Sequence, residues 1–167
     1  AYLDRVNAIR RRLPEAVFTT DVIVGFPGET VEDFEATRQV MEDVGFEMAY
    51  IFKYSPRSGT RAASFEDDVP QAVKEERNQL LLADLERRSQ AANKRYRGQE
   101  VEVLVEGPSK RNAERWTGRS RTNKVCIFDP AANVQRGDLM TMRVERTTAN
   151  SLFGSIATGP ATSSAAG

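Results

Sequence analysis

Along residues 2–13, Leu3, Val6, Ile9, Arg10 and Leu13 recur at the spacing of one helical face, and Pro14 ends the run. Val17 to Val24 is a short β-branched apolar run bounded by turn signals, which predicts a buried parallel strand. Thr30 then stands where a helix cap belongs, with Asp33 three residues on as the capping-box acid. Val31, Phe34, Thr37, Met41 and Val44 give the helix its apolar stripe, and Gly45 suits its stop. A second strand is expected over Phe46–Tyr54. Helix, strand, helix, strand at this spacing is the grammar of a parallel α/β unit. From Pro70 a long helix runs to about Arg97, with Gly98 as its stop. Val73, Leu80, Leu81, Leu85, Ala92 and Tyr96 are its apolar residues, so one side must face solvent.

After Gly98 the period changes from helical to two. Val101, Val103 and Val105 alternate with Glu100, Glu102 and Glu106, which predicts a half-buried antiparallel strand. Further strands are expected at Arg115–Arg121, Lys124–Phe128, Leu139–Arg146 and Ser151–Ala157, each bounded by Gly, Pro or Asn turn chemistry. Five short strands in so little chain predict a small OB-like barrel. The expected organisation is therefore an α/β segment over residues 1–97 and an all-β domain over 98–158. A disordered tail follows over 159–167, where Gly, Pro, Ser, Thr and Ala leave nothing to bury.

Composition narrows the chemistry. Histidine is absent and Cys126 is the one cysteine, so neither a Cys–His nucleophile pair nor a His-ligated zinc site exists in the chain. One cysteine also excludes an internal disulfide, which fits a reducing cytoplasm. No apolar run approaches the ~18 residues of a membrane span, and residue 1 lies within a helical pattern rather than a leader. Net charge is zero, but it is segregated. Residues 1–69 carry eight Lys/Arg against thirteen Asp/Glu, whereas residues 107–128 carry six against one. A compact basic patch on a small domain attracts a phosphate backbone.

Three stretches carry candidate chemistry. Gly25-Phe26-Pro27-Gly28-Glu29 closes the first strand and opens a helix, the position of a βα loop at the ligand face of an α/β barrel. The same residues also serve as a plain tight turn. Tyr54-Ser55-Pro56-Arg57-Ser58-Gly59-Thr60-Arg61 lies at the end of the next strand, hence on the same face. There Lys53, Arg57 and Arg61 read either as ligands for a carboxylate or phosphate or as solvated loop cations. The third stretch joins Lys110 and Arg111 to Arg119, Arg121, Asn123 and Lys124. Strand alternation points Arg119 and Arg121 to one face, and Trp116 offers either a stacking surface or a core side chain. Cys126, in the apolar run Val125–Phe128, reads as a buried structural thiol.

Thr20–Thr30, Tyr54–Thr60, Val103–Asn112 and Gly118–Phe128, in this order, resemble the methylthiotransferase family of radical S-adenosylmethionine enzymes. The resemblance implies that residues 1–97 are the end of an incomplete TIM-like radical SAM barrel and that 98–158 are the family's OB-like RNA-binding TRAM barrel. It further implies that the chain is a C-terminal piece of a cytoplasmic, monomeric enzyme whose N-terminal domains lie elsewhere. The family's chemistry uses S-adenosylmethionine and two 4Fe–4S clusters. Reductive cleavage of S-adenosylmethionine gives a radical that activates the substrate C–H, and sulfur comes from the second cluster. The cysteines that hold both clusters are missing from this chain, so it is expected to be inactive alone.

By position, Asp21, Ile23, Gly25 and Tyr54 are expected to line the S-adenosylmethionine pocket. Lys110, Arg111, Trp116, Arg119, Arg121, Asn123 and Lys124 are expected to hold a tRNA anticodon stem-loop. The likeness is strongest to members that add a methylthio group to C2 of N6-isopentenyladenosine beside the anticodon. Ser58 and Arg61 depart from the family, standing where it has proline. Relatives that modify a ribosomal-protein aspartate, or threonylcarbamoyladenosine in tRNA, are alternatives, as is a plain RNA-binding module.

Overall fold

The computed structural model describes residues 1–130 and 134–156. The last residue of the fifth expected strand, Ala157, and the expected tail lie outside them. The chain divides into two compact units, Ala1–Arg88 and Ser89–Gly167, and the division falls within the long helix rather than at Gly98.

The first unit runs α1 (Tyr2–Arg12), β1 (Thr19–Val24), α2 (Val31–Val44), β2 (Met48–Lys53) and the start of α3 (Gln71–Lys94). A short 3-10 turn, Arg61–Ser64, lies in the loop before α3 and has no signature in the hydrophobic pattern. Thr30 caps α2 as its sequence predicts: its Oγ1 accepts from the Asp33 amide at 3.1 Å, and the Asp33 carboxylate accepts from the Thr30 amide at 3.1 Å. Those hydrogen bonds hold the Asp33 carboxyl below the ordinary carboxylate value. Gly45, left-handed at φ 58°, returns its amide to the Met41 carbonyl and ends the helix.

β1 and β2 pair in parallel, from Thr19 opposite Met48 to Val24 opposite Lys53. Val22, Val24, Ala49 and Ile51 pack inward with Val6, Phe34, Met41, Val44, Phe46 and Leu81. The opposite face of the sheet is open. Ile23 is 52% exposed and its neighbours Tyr50 and Phe52 are 63% and 52% exposed. The expectation that β1 is buried is thereby corrected. Helices cover only one face of a two-stranded sheet, so every second residue of β1 is left outside.

α3 departs further from its expected pattern. Leu80 and Leu82 are exposed, while Lys74, Arg77, Asn78, Ser89 and Asn93 are buried together with Leu81. Its inward stripe keeps helical spacing, but it is polar and finds specific partners instead of apolar ones.

In the second unit, β3 (Glu100–Pro108), β4 (Trp116–Ser120), β5 (Val125–Phe128), β6 (Leu139–Thr147) and β7 (Ser151–Ile156) close a barrel in the order β3-β4-β5-β7-β6. All pairs are antiparallel except β5 with β7. Bulges between Val105 and Gly107 and between Val144 and Arg146 bend the long strands β3 and β6 enough to close the ring. Val103, Val105, Cys126, Phe128, Met142, Val144 and Leu152 fill the interior. β6 crosses Gly154 so tightly that a Cβ there would collide with the Arg143 carbonyl, which fixes glycine at that site. The last turns of α3 belong to this unit: buried Asn93 donates to the Thr148 and Ala149 carbonyls at 2.8 and 3.0 Å.

Candidate functional site

In the first unit the Gly25–Glu29 loop is braced from behind. The Glu29 carboxylate accepts from the Gly25 amide at 2.6 Å and from Arg77 Nη1 at 2.5 Å, and Arg77 also donates to the Glu29 carbonyl at 3.1 Å. Asp68 accepts from the Gly28 amide at 2.8 Å, and buried Lys74 pairs with Asp67 at 2.5 Å. A Cβ on Gly25 would strike the Lys74 side chain, so the missing side chain at Gly25 makes room for α3. Lys53 pairs with Glu75, while Arg57 and Arg61 are exposed.

Asp21 and Ile23 project together onto the open sheet face, opposite Tyr50 and Phe52. Both side chains are thus accessible on an apolar face that carries one carboxylate. Tyr54 is not. It is 9% exposed, its hydroxyl donates to the Ala62 carbonyl at 2.8 Å, and Phe26 stacks edge-on against it at 5.1 Å. Its ring is therefore spent in holding the loop before α3. An iron–sulfur cluster does not fit this chain. Cys126 is buried, its thiol is pushed up to about 12 by that burial, and it donates to the Lys124 carbonyl at 3.6 Å. Among the described residues no group of three His, Cys, Asp or Glu could hold a metal ion.

The second unit carries a groove of about 650 Å³ on the barrel's outside. Lys110 and Arg111 reach it from the β3–β4 loop, Arg119 from β4 and Arg136 from the turn before β6. Against these four cations stands one carboxylate, Glu106. Arg119 lies beside it, Nε to Oε2 3.5 Å, and also donates to the Asn123 carbonyl at 3.3 Å. Arg121 lies past the end of β4 and pairs with Glu102 on β3 at 2.9 Å. Exposed pairs of this kind are worth ~0–1 kcal/mol, so an incoming phosphate can take over either guanidinium.

Three expected contacts change character. Lys124 is 5% exposed and does not present its ammonium to an outside ligand. Asn123 has φ 59° in the three-residue turn between β4 and β5, a conformation asparagine tolerates, and that turn explains its identity. Trp116 shares the inward parity of Gly118 and packs, partly buried, against the barrel core, as the core reading of this side chain expects. Arg136 was missed. It stands alone in a turn after Pro130, and only barrel closure brings it beside Lys110 and Arg119.

Residues 94–157 match the TRAM domain family, and the closed five-stranded barrel is consistent with such a domain. The chain as a whole also has close curated relatives. It is 48% identical over 155 residues, 93% of its length, to the tRNA-2-methylthio-N(6)-dimethylallyladenosine synthase of Opitutus terrae, and covers 32% of that protein. To the proteins of the same name from Akkermansia muciniphila and Acetivibrio thermocellus it is 46% identical over 92% of its length and 48% over 93%, covering 33% and 32% of them. The chain thus spans about a third of the length of the curated relatives it matches, and it matches their C-terminal region.

Proposed function

We propose that this chain is the tRNA-gripping C-terminal part of a tRNA methylthiotransferase that acts on N6-isopentenyladenosine beside the anticodon. The observation that carries the reading is the groove in which Lys110, Arg111, Arg119 and Arg136 converge on a TRAM barrel. A cleft holding four cations and one carboxylate suits a polyanion such as a phosphate backbone. Arg121 and the exposed edge at Asn123 extend the cationic surface along the β4–β5 turn.

In the parent enzyme, S-adenosylmethionine and the iron–sulfur clusters supply the radical and the sulfur. Asp21 and Ile23 would face S-adenosylmethionine, a reading supported by their exposure on the open sheet face, and Glu29 pairs with Arg77 behind the adjoining loop. Cluster ligation belongs to the part of the parent outside this chain, whose own role is to bind and orient RNA. Among the described residues no helix is long and apolar enough to cross a membrane.

Fluorescence anisotropy with an anticodon stem-loop RNA tests this reading. The chain should bind with a salt slope reflecting several phosphate contacts. Arg119→Ala and Arg136→Ala should each weaken binding and lower the slope by about one. Wild-type affinity and slope in both variants would refute the groove as the RNA site.

A further inference from the structure

The outer face of the barrel continues beyond the basic groove. Strand register sets Thr117 of β4 beside Ile127 of β5, Ile127 beside Phe153 of β7, and Phe153 beside Arg146 of β6. The neighbouring row is Arg119, Val125 and Ser151. Inward residues of these strands, Cys126, Phe128, Leu152 and Val144, form the core, so Ile127 and Phe153 face out and are only partly covered. Two strand spacings, ~10 Å, separate Arg119's strand from Phe153's. An apolar strip with an aromatic ring therefore begins where the phosphate-binding cations end.

The Arg146 guanidinium lies over the Phe153 ring, 3.6 Å from its centroid. Arg115, Arg119 and Arg121 each face a carboxylate, but among the described residues Arg146 makes no ion pair. The guanidinium carbon thus lies over the ring, and Arg146 is an exposed residue. Guanidinium planes and aromatic rings are the two surfaces on which proteins stack unpaired RNA bases. Here the two lie together, in contact, on the barrel's outer face.

We propose that Arg146, seated on Phe153, is a stacking platform for an unpaired nucleobase of the RNA whose backbone occupies the neighbouring groove. This rests on the RNA reading of the groove, and it assigns the role expected of Trp116 to a different part of the barrel. A cation–π pair that merely joined β6 to β7 would stabilise the barrel and leave base recognition unchanged.

The test uses the full chain and an anticodon stem-loop RNA carrying 2-aminopurine at each loop position in turn. Wild-type protein should alter the fluorescence strongly at one position. Arg146→Lys keeps the charge and removes the plane, so it should lose that signal and bind about 5- to 100-fold more weakly with the salt slope unchanged. Phe153→Leu should behave likewise, and Phe153→Trp should retain binding and signal, which separates stacking from simple loss of fold. If Arg146→Lys and Phe153→Leu keep wild-type affinity and fluorescence while Arg119→Ala lowers the slope, the platform is wrong and the groove stands. If the wild-type chain binds no RNA at low salt, the RNA reading fails and the platform with it.

Discussion

Replacing Arg77 by methionine tests the buried brace behind the Gly25–Glu29 loop. The Arg77 and Glu29 side chains are 8% and 10% exposed, so the substitution strands a carboxylate that retains only the Gly25 amide as a partner. Removing one partner of a buried pair costs ~3–5 kcal/mol, and the two charge-assisted bonds lost from Arg77, at ~1.5–3 kcal/mol each, give the same range. Methionine keeps the apolar stem against Phe34, over whose ring the guanidinium lies at 5.3 Å, so packing changes little. The two units offer separate probes: α1, α2 and most of α3 lie in the first, and Trp116, the one tryptophan, lies in the second. In urea, at ~1–2 kcal/mol per molar for a unit this size, the midpoint of the helical circular dichroism signal should fall by at least ~1.5 M, with the Trp116 fluorescence transition in place. Adding Glu29→Gln should recover ~2 kcal/mol or more, because no charge is then stranded. A helical midpoint within ~0.5 M of wild type in Arg77→Met alone would refute the argument and mean that water already solvates Glu29.

Other consequences are more local. Because burial holds the Cys126 thiol at about 12 against an ordinary 9.0, the folded state keeps a proton that the unfolded state releases. Stability should therefore fall as pH rises from 9 towards 12, by up to ~4 kcal/mol more than in Cys126→Ala, as pH-resolved urea melts would record. Asn123→Gly should be tolerated, whereas Asn123→Val should cost ~1–2 kcal/mol in thermal unfolding, since only the first accepts φ 59°. Glu106→Gln removes the one carboxylate of the groove, so RNA affinity measured at fixed salt should rise ~2- to 5-fold.

Where pattern and partner are close in sequence, the chain was legible. The Thr30–Asp33 box, the Gly45 stop and the alternation of Val101, Val103 and Val105 each express a rule spanning a few residues. The polar stripe of α3 was not legible, because the groups that justify burying Arg77 and Asn78 are Glu29 and the Ile51 carbonyl, 48 and 27 residues away. The parallel β5–β7 pair and the place of Arg136 escaped for the same reason, since both depend on barrel closure. The Arg146–Phe153 pair spans only the β6–β7 hairpin, but the bulge between Val144 and Arg146 shifts the register that plain alternation would give. Lys124 shows the converse error. Its charge counted towards a basic patch, whereas its position next to a three-residue turn places it inside. Tyr54 shares the parity of exposed Tyr50 and Phe52, and only the loop that folds over it, through the Ala62 carbonyl, takes it out of reach.

If the Lys110–Arg136 groove grips RNA through phosphate contacts, binding must release counterions and weaken with salt. The most direct measurement is the dependence of anticodon stem-loop affinity on salt for the wild-type chain and for Arg119→Ala/Arg136→Ala. Log affinity should fall linearly with log salt, with a slope shallower by about two in the double variant. Equal slopes for the two proteins, or wild-type binding indifferent to salt, would contradict phosphate contact in the groove.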